Sequence, residues 1–386
     1  MNNVWIDISK KIKELYPVKD FLPLHEPTFS GNEKVYVNDC IETGWVSSVG
    51  KYVSEFEKSL AEYTGVKRAV AVVNGTAALH VALEVAGVQI EDEVLTPSLT
   101  FIATANAISY CGAIPHFIDI SNETLGVDVQ KLASYLQEMT TVRNNLCMNK
   151  YTGKIIKAIV PMHTFGHPVD MDPLIELCDR YNIVVVEDAA ESLGSFYKGK
   201  HTGNFGKISA MSFNGNKIIT TGGGGAILTN DDNLADRAKH LTTTAKVPHR
   251  WKYVHDEVGY NYRMPNLNAA LGVAQLEQLD GFIKNKRRIF YRYEQILKGY
   301  EGIQLYKEPS FATSNYWLQT LIIDPKTYIH EDVLGVLNQS GIMARPVWTP
   351  LHELEPFKHC PHSDLTVTNK LSKQIINIAS SPYLGE

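Results

Sequence analysis

Ser212-Phe213-Asn214-Gly215-Asn216-Lys217-Ile218-Ile219-Thr220-Thr221-Gly222-Gly223-Gly224-Gly225 joins two short apolar runs, Ile208–Phe213 and Gly225–Thr229. The pattern reads as a strand, a polar turn holding one lysine, a glycine run and a second strand. No Lys-Ser/Thr pair follows the glycines, so this is not a Walker phosphate loop. The glycines permit backbone geometry closed to other residues and leave room for a flat ring. A lysine placed there can be desolvated, which lowers its pKa and frees the amine to form an imine. A lysine taken alone is most often a solvated surface group, so its neighbours must carry that reading.

Upstream of this turn, from about residue 55, short β-branched runs alternate with helix-length amphipathic stretches. The strand candidates are Ala69–Val73, Glu93–Thr96, Ile114–Ile118, Ile155–Pro161 and Ile183–Glu187, with helices such as Ala77–Ala86, Ile102–Tyr110 and Pro173–Tyr181 between them. Such alternation predicts an α/β fold with a mainly parallel central sheet covered by helices. Ligands in such sheets sit beyond the carboxyl ends of the strands. Two further post-strand sites stand out. Asn74-Gly75-Thr76-Ala77 turns a strand into a helix, where free N–H groups and a hydroxyl can cradle a phosphate; many ordinary βα turns look the same. The strand IVVVE delivers Asp188, which can keep a pyridine nitrogen protonated or can cap the following turn. Phosphate cradle, ring-nitrogen carboxylate and imine-forming lysine are together the parts that pyridoxal phosphate (PLP) demands, and the conjunction is more specific than any member.

The bulk numbers exclude other classes. The 386 residues carry a formal net charge of −5 with 44% hydrophobic and 20% charged residues, an ordinary globular balance that gives no reason to expect nucleic acid or an anionic membrane as partner. Five cysteines form no Cys-x-x-Cys pair, as expected of reduced thiols. The N-terminal stretch lacks the signature of a signal peptide, and no apolar run approaches the roughly 18 residues that span a bilayer. A soluble, cytoplasmic protein is expected. His359, Cys360 and His362 lack further ligands at zinc spacing, so no metal is predicted.

Trp5, Ile8, Ile12 and Leu15 fall on one face of a short helix that packs on its own subunit and is closed by Pro17. Residues 140–154 read as a surface loop, and Asn266–Leu297 as one long helix leading out of the sheet. Beyond about residue 300 a smaller α+β unit is predicted, with strand Leu318–Ile323 and helix Glu331–Ser340. The expected division is an N-terminal helical extension (1–20), a large α/β domain (21–265), and a connecting helix with a small C-terminal domain (266–386).

The order NGTAALH, TPSLTFIATANAI, PMHTFGHPVDMD, VVVEDAAESLG, SFNGNKIITTGGGG and GYNYRMPNLNAALG closely resembles the sugar-nucleotide aminotransferases of the DegT/DnrJ/EryC1/StrS family, from about Leu22 to His352. The LPLHEPTFSGNEK opening looks most like the bacillosamine- and legionaminic-pathway members, which aminate C4 of a 4-keto-6-deoxy sugar. The resemblance implies PLP fold type I, with Lys217 as the Schiff-base lysine and acid–base. It implies that Asp188 pairs with the pyridine nitrogen and that Phe101 stacks on the ring. Thr76, Ala77 and Ser212 would hold the phosphate, joined by Asn261 of the neighbouring subunit in a homodimer with active sites at the interface. Glu191 lies where many members have Gln contacting the ring hydroxyl, a departure that changes the donors and protonation states on offer. L-glutamate would be the amino donor, giving 2-oxoglutarate and pyridoxamine phosphate. The expected acceptor is UDP-2-acetamido-2,6-dideoxy-α-D-xylo-hexos-4-ulose. A GDP-linked 4-keto sugar of the legionaminic acid or perosamine type is the alternative, and a non-catalytic sugar-nucleotide sensor or scaffold is the alternative of another class. Trp45 and Ser47 are candidates for the nucleotide, Arg345 and Trp348 for the sugar or diphosphate, and His163 for the substrate. A structural role competes for each.

Overall fold

The computed structural model describes residues 2–16 and 20–386. Seven strands form the main sheet: β1 Arg68–Val72, β2 Glu93–Pro97, β3 Ile114–Ile118, β4 Ile156–Ile159, β5 Val184–Asp188, β6 Ile208–Ser212 and β7 Gly225–Thr229. Their order is β1-β7-β6-β5-β4-β2-β3. Four of the six pairings are parallel, and only β7 runs antiparallel, to β1 and β6 alike. Each run expected to be a strand is one, with ends moved by a residue or two. Nearly every residue of these strands is buried, because helices cover both faces and apolar, β-branched side chains can point either way. The helix Gly75–Val85 packs one face with Val70, Val72 and Ile227, while Phe213 meets Phe56 of the helix Lys51–Thr64 edge to face at 5.1 Å on the other.

A second, antiparallel sheet follows: β8 Ile303–Leu305, β9 Gln319–Ile323, β10 Arg345–Pro346 and β11 Ile375–Ile378, in the order β8-β9-β11-β10. The N-terminal helix Asn2–Leu15 docks here. Trp5, Ile8 and Ile12 share a core with Leu321, Ile323, Val333, Leu337 and Ile376. The fourth member of its apolar face is Tyr16, which is buried, and not Leu15, which is 38% exposed. Tyr16 completes the stripe because eleven residues at 100° return almost to the starting angle of Trp5. The expected stop at Pro17 lies outside the described residues.

Two expectations are corrected. Residues 140–154 are no plain loop: Thr140–Arg143 pairs antiparallel with Leu146–Asn149. The turn between them places Asn144 and Asn145 at φ 50° and 61°, left-handed geometry that asparagine accepts and that matches the twist of a hairpin. The long helix is broken into Asn266–Leu276 and Leu279–Leu297. The break is pinned by side chains. Gln278 Nε2 donates to Glu33 Oε1 and to the Ala274 carbonyl, while Asn32 and Tyr36 donate to the Glu277 carboxylate.

Ile8 is fully buried. Ile8→Ala should therefore cost about 2–5 kcal/mol in urea unfolding. A loss under ~1 kcal/mol would show that the N-terminal helix is not part of the folded core.

Candidate active site

Strands β4, β5 and β6 run side by side and parallel, so their carboxyl ends share one edge, and a cavity of about 280 Å³ opens there. Its lining includes Asn74, Gly75, Thr76, Phe101, Met162, Asp188, Glu191, Ser212, Lys217, Trp317 and Trp348. Asp188, the last residue of β5, is 3% exposed. The Thr104 hydroxyl donates to its Oδ2 (2.7 Å) and the Ala190 N–H to its Oδ1 (3.1 Å). Burial raises its carboxyl above the ordinary range, while these hydrogen bonds and the Lys217 charge pull it back. Such a carboxylate invites a cation.

Lys217 sits in the turn after β6, where its N–H bonds the Asn214 carbonyl (3.0 Å). Its Nζ donates to Glu191 Oε1 (3.3 Å) and lies 4.1 Å from the centre of the Trp317 ring. Glu191 is 3% exposed, and its Oε2 accepts the Phe165 N–H (2.8 Å). Burial pushes the Glu191 carboxyl up to about 7 against the opposing pull of Lys217.

At the turn after β1, Asn74 caps the helix Gly75–Val85, its Oδ1 accepting the Ala77 N–H (2.8 Å). That leaves the N–H groups of Gly75 and Thr76, which have no intrahelical partner, and the Ser212 hydroxyl at the cavity wall. The turn is tight: a Cβ on Gly75 would lie 2.8 Å from Ser212 Cβ, and one on Gly225 2.5 Å from the Asn74 carbonyl. The glycine run therefore serves close approach of β7 to the turn, and none of its four residues lines the cavity.

These residues fit PLP. Donors and a helix start stand where a phosphate would lie, a buried carboxylate awaits a protonated ring nitrogen, and Phe101 and Trp348 supply aromatic walls, 6.2 Å between ring centroids. Lys217 lies within reach of the same space.

The structure brings Lys217, Asp188, Glu191, Thr76, Ser212, Phe101 and Trp348 together. Other expected residues stand apart. Ala77 is buried with its N–H taken by Asn74. His163 is fully buried: its Nδ1 accepts the Val169 N–H (3.1 Å), so Nε2–H donates to Glu187 Oε2 (3.0 Å), which turns the ring into scaffold. Trp45 lines a separate cavity, with Asp39, Ser48, Lys51, Lys239 and Asn266, and the Ser47 carbonyl accepts the Asn266 N–H (2.7 Å). Arg345 is exposed on the short strand β10 and does not line the Lys217 cavity. Asn261 is likewise exposed, and its Oδ1 accepts the Arg263 Nε–H (3.0 Å). Sequence reasoning missed Thr104, Met162 and Trp317. Thr104 lay in plain view at the start of the helix Ile102–Tyr110, but its hydroxyl meets Asp188 only through the packing of that helix on the sheet.

Fold and site together define a PLP-dependent enzyme of fold type I. The sequence profile of the DegT/DnrJ/EryC1/StrS aminotransferase family matches residues 27–386, and the chain belongs to that family. It is 39% identical to a GDP-perosamine synthase of Vibrio cholerae over 365 residues, 94% of this chain and 95% of that protein. It is 40% identical to the GDP-perosamine synthase of Escherichia coli O157:H7 over 365 residues, 95% and 94% of the two chains. A crystal structure of a family member from Brucella abortus superposes with a TM-score of 0.82 at 27% identity, covering 91% of each chain.

Gly225→Ala should displace the Asn74–Thr76 turn and weaken PLP binding at least ~tenfold, or about 1.4 kcal/mol, in a spectroscopic titration. Gly215→Ala is the control, because a Cβ there meets nothing within 4 Å. Equal affinities would remove the turn from the cofactor site.

Proposed function

We propose that the enzyme aminates a GDP-linked 4-keto sugar at C4, with L-glutamate as donor. The observation that carries this is the 39–40% identity to GDP-perosamine synthases over more than nine-tenths of both chains. It favours the GDP-linked alternative over the UDP-linked acetamido sugar expected from the opening motif. The scaffold alternative has against it a lysine, a carboxylate and a phosphate cradle converging on one cavity.

PLP, when bound, supplies an electron sink that acidifies the carbon bearing the amino group. Asp188 would keep the ring nitrogen protonated, and Thr104 and the Ala190 N–H hold that carboxylate in place. Thr76 and Ser212 would hold the phosphate, and Phe101 would cover one ring face. Lys217 would hold the cofactor covalently and, once released by an amino donor, would serve as the base that moves the proton. The same lysine would serve the amination of the keto sugar, so it must be mobile. Its polar head rests between Glu191 and the Trp317 face. Trp348 borders the same cavity and would face the sugar. Asn261, standing outside its own cavity, completes the phosphate site of a partner in a homodimer.

Purified protein should show a visible imine band that moves to shorter wavelength with L-glutamate, and Lys217→Ala should lose both band and turnover. Turnover of GDP-linked 4-keto sugar should exceed that of the UDP-linked sugar at least ~tenfold in kcat/KM, a difference of about 1.4 kcal/mol. A UDP preference would overturn the nucleotide assignment while leaving the aminotransferase reading intact.

A further inference from the structure

We propose that Glu191 is the proton store of this site: it takes one proton from the Lys217 ammonium and keeps it, as an un-ionised carboxylic acid, while Lys217 is held in Schiff-base linkage. The inference rests on the reading of Lys217 as the cofactor lysine. In the transfer one N–H bond of Lys217 breaks and one O–H bond to Glu191 Oε1 forms. Only the proton moves, and the net charge of the pair is unchanged.

The geometry points to this role because the two carboxylate oxygens are not equivalent. Oε2 is fixed as an acceptor by the Phe165 N–H at 2.8 Å. Oε1 faces Lys217 Nζ at 3.3 Å, so the oxygen left to carry a proton is the one beside the amine. The Phe165 N–H is held in place by an unusual backbone, φ 55°, followed by Gly166 at φ 94°. Asn315 secures the other side, its Nδ2 donating to the Glu191 carbonyl at 2.9 Å.

Charge then decides where the proton goes. Lys217 is the cation that pulls on Glu191, and Asp188, three residues back on the chain, is the anion that pushes. From the N-terminal side His25 also feels the Lys217 charge, and burial holds its imidazole neutral. Once Lys217 no longer carries its ammonium charge, Glu191 would be a carboxylate buried beside a second buried carboxylate with one backbone N–H for support. An isolated buried anion is too costly to persist and neutralises by taking up a proton. Burial already pushes this carboxyl up to about 7 with the lysine charge counted. A glutamine in this position could donate hydrogen bonds but could not store a proton.

The test is infrared spectroscopy of the PLP-loaded enzyme between pH 6 and 9, following the carbonyl stretch of un-ionised carboxylic acid. Wild type should show such a signal near pH 7, and the nearly isosteric Glu191→Gln should lack it. In the cofactor-free forms, where Lys217 keeps its ammonium, Lys217→Ala removes that cation without touching the acid, so its signal should persist to a pH higher than that of cofactor-free wild type by at least ~1 unit. No acid signal in wild type, a signal unchanged in Glu191→Gln, or a lower midpoint in Lys217→Ala would each overturn the proposal. The visible spectrum of the same wild-type sample reports whether PLP is bound to the lysine, and the measurement involves no sugar. A failure here is thus separable from a failure of the cofactor or substrate reading.

Discussion

The site is organised around a carboxylate that the fold buries before any ligand arrives. Asp188 closes a strand lying at the centre of the main sheet, where desolvation disfavours its charge. Two hydrogen bonds hold the group in orientation, one from a crossover helix and one from the turn that follows the strand. Neither supplies a full positive charge. A cofactor whose ring nitrogen became cationic at that spot would offset the desolvation, so that binding energy and ring activation would come from one contact.

The residue before it shows why the strand must end where it does. Successive side chains on a strand point to opposite faces. Asp188 faces the cavity, and Glu187 faces the scaffold, where burial opposes its charge but His163 and the N–H groups of Gly203, Phe205 and Gly206 hold it below the ordinary carboxylate range. Two neighbouring acids thus have divided roles. One ties down the loop after β5 together with the histidine after β4, and the other is presented to the ligand. A register slip of one residue would exchange them.

That division also explains how far the sequence could be read. The seven strands were legible because each is a short buried run between turn signals, and the post-strand rule then led to Asp188, Lys217 and the Asn74–Thr76 turn. His163 occupies the same kind of position after β4, yet its ring turns into the scaffold. Chain position gives the edge of the sheet, and side-chain direction depends on a partner, Glu187, that lies 24 residues away. The glycine run misled for a similar reason. Its spacing suggested room for a ring, whereas Gly225 lies against the backbone of Asn74, brought close because β7 inserts antiparallel beside β1. Trp317 was invisible because it comes from the C-terminal part of the chain, a hundred residues from the lysine it supports.

Trp317 shows how that distant segment controls the lysine. It is stapled on three sides: its indole N–H donates to the Asn216 carbonyl (2.7 Å), its own N–H to Asn315 Oδ1 (2.8 Å), and its carbonyl accepts from Lys286 Nζ (2.8 Å). Lys286 is fully buried, donates to the carbonyls of Trp317 and Ser380, and is driven by burial well below the usual lysine range. Asn315 in turn grips the carbonyls of Glu191 and Leu193. One tripeptide therefore fixes both the ring face under Lys217 and the backbone of its carboxylate neighbour. The left-handed Phe165, a conformation that costs of order 1–3 kcal/mol for a non-glycine residue, is held from the same direction. Its ring is tilted against Trp348 at 5.1 Å, and Asn315 Oδ1 would lie 1.9 Å from a Cβ on Gly166 beside it. Strain at Phe165 aims an N–H at Glu191, and the packing that over-determines it is the packing that seats the lysine.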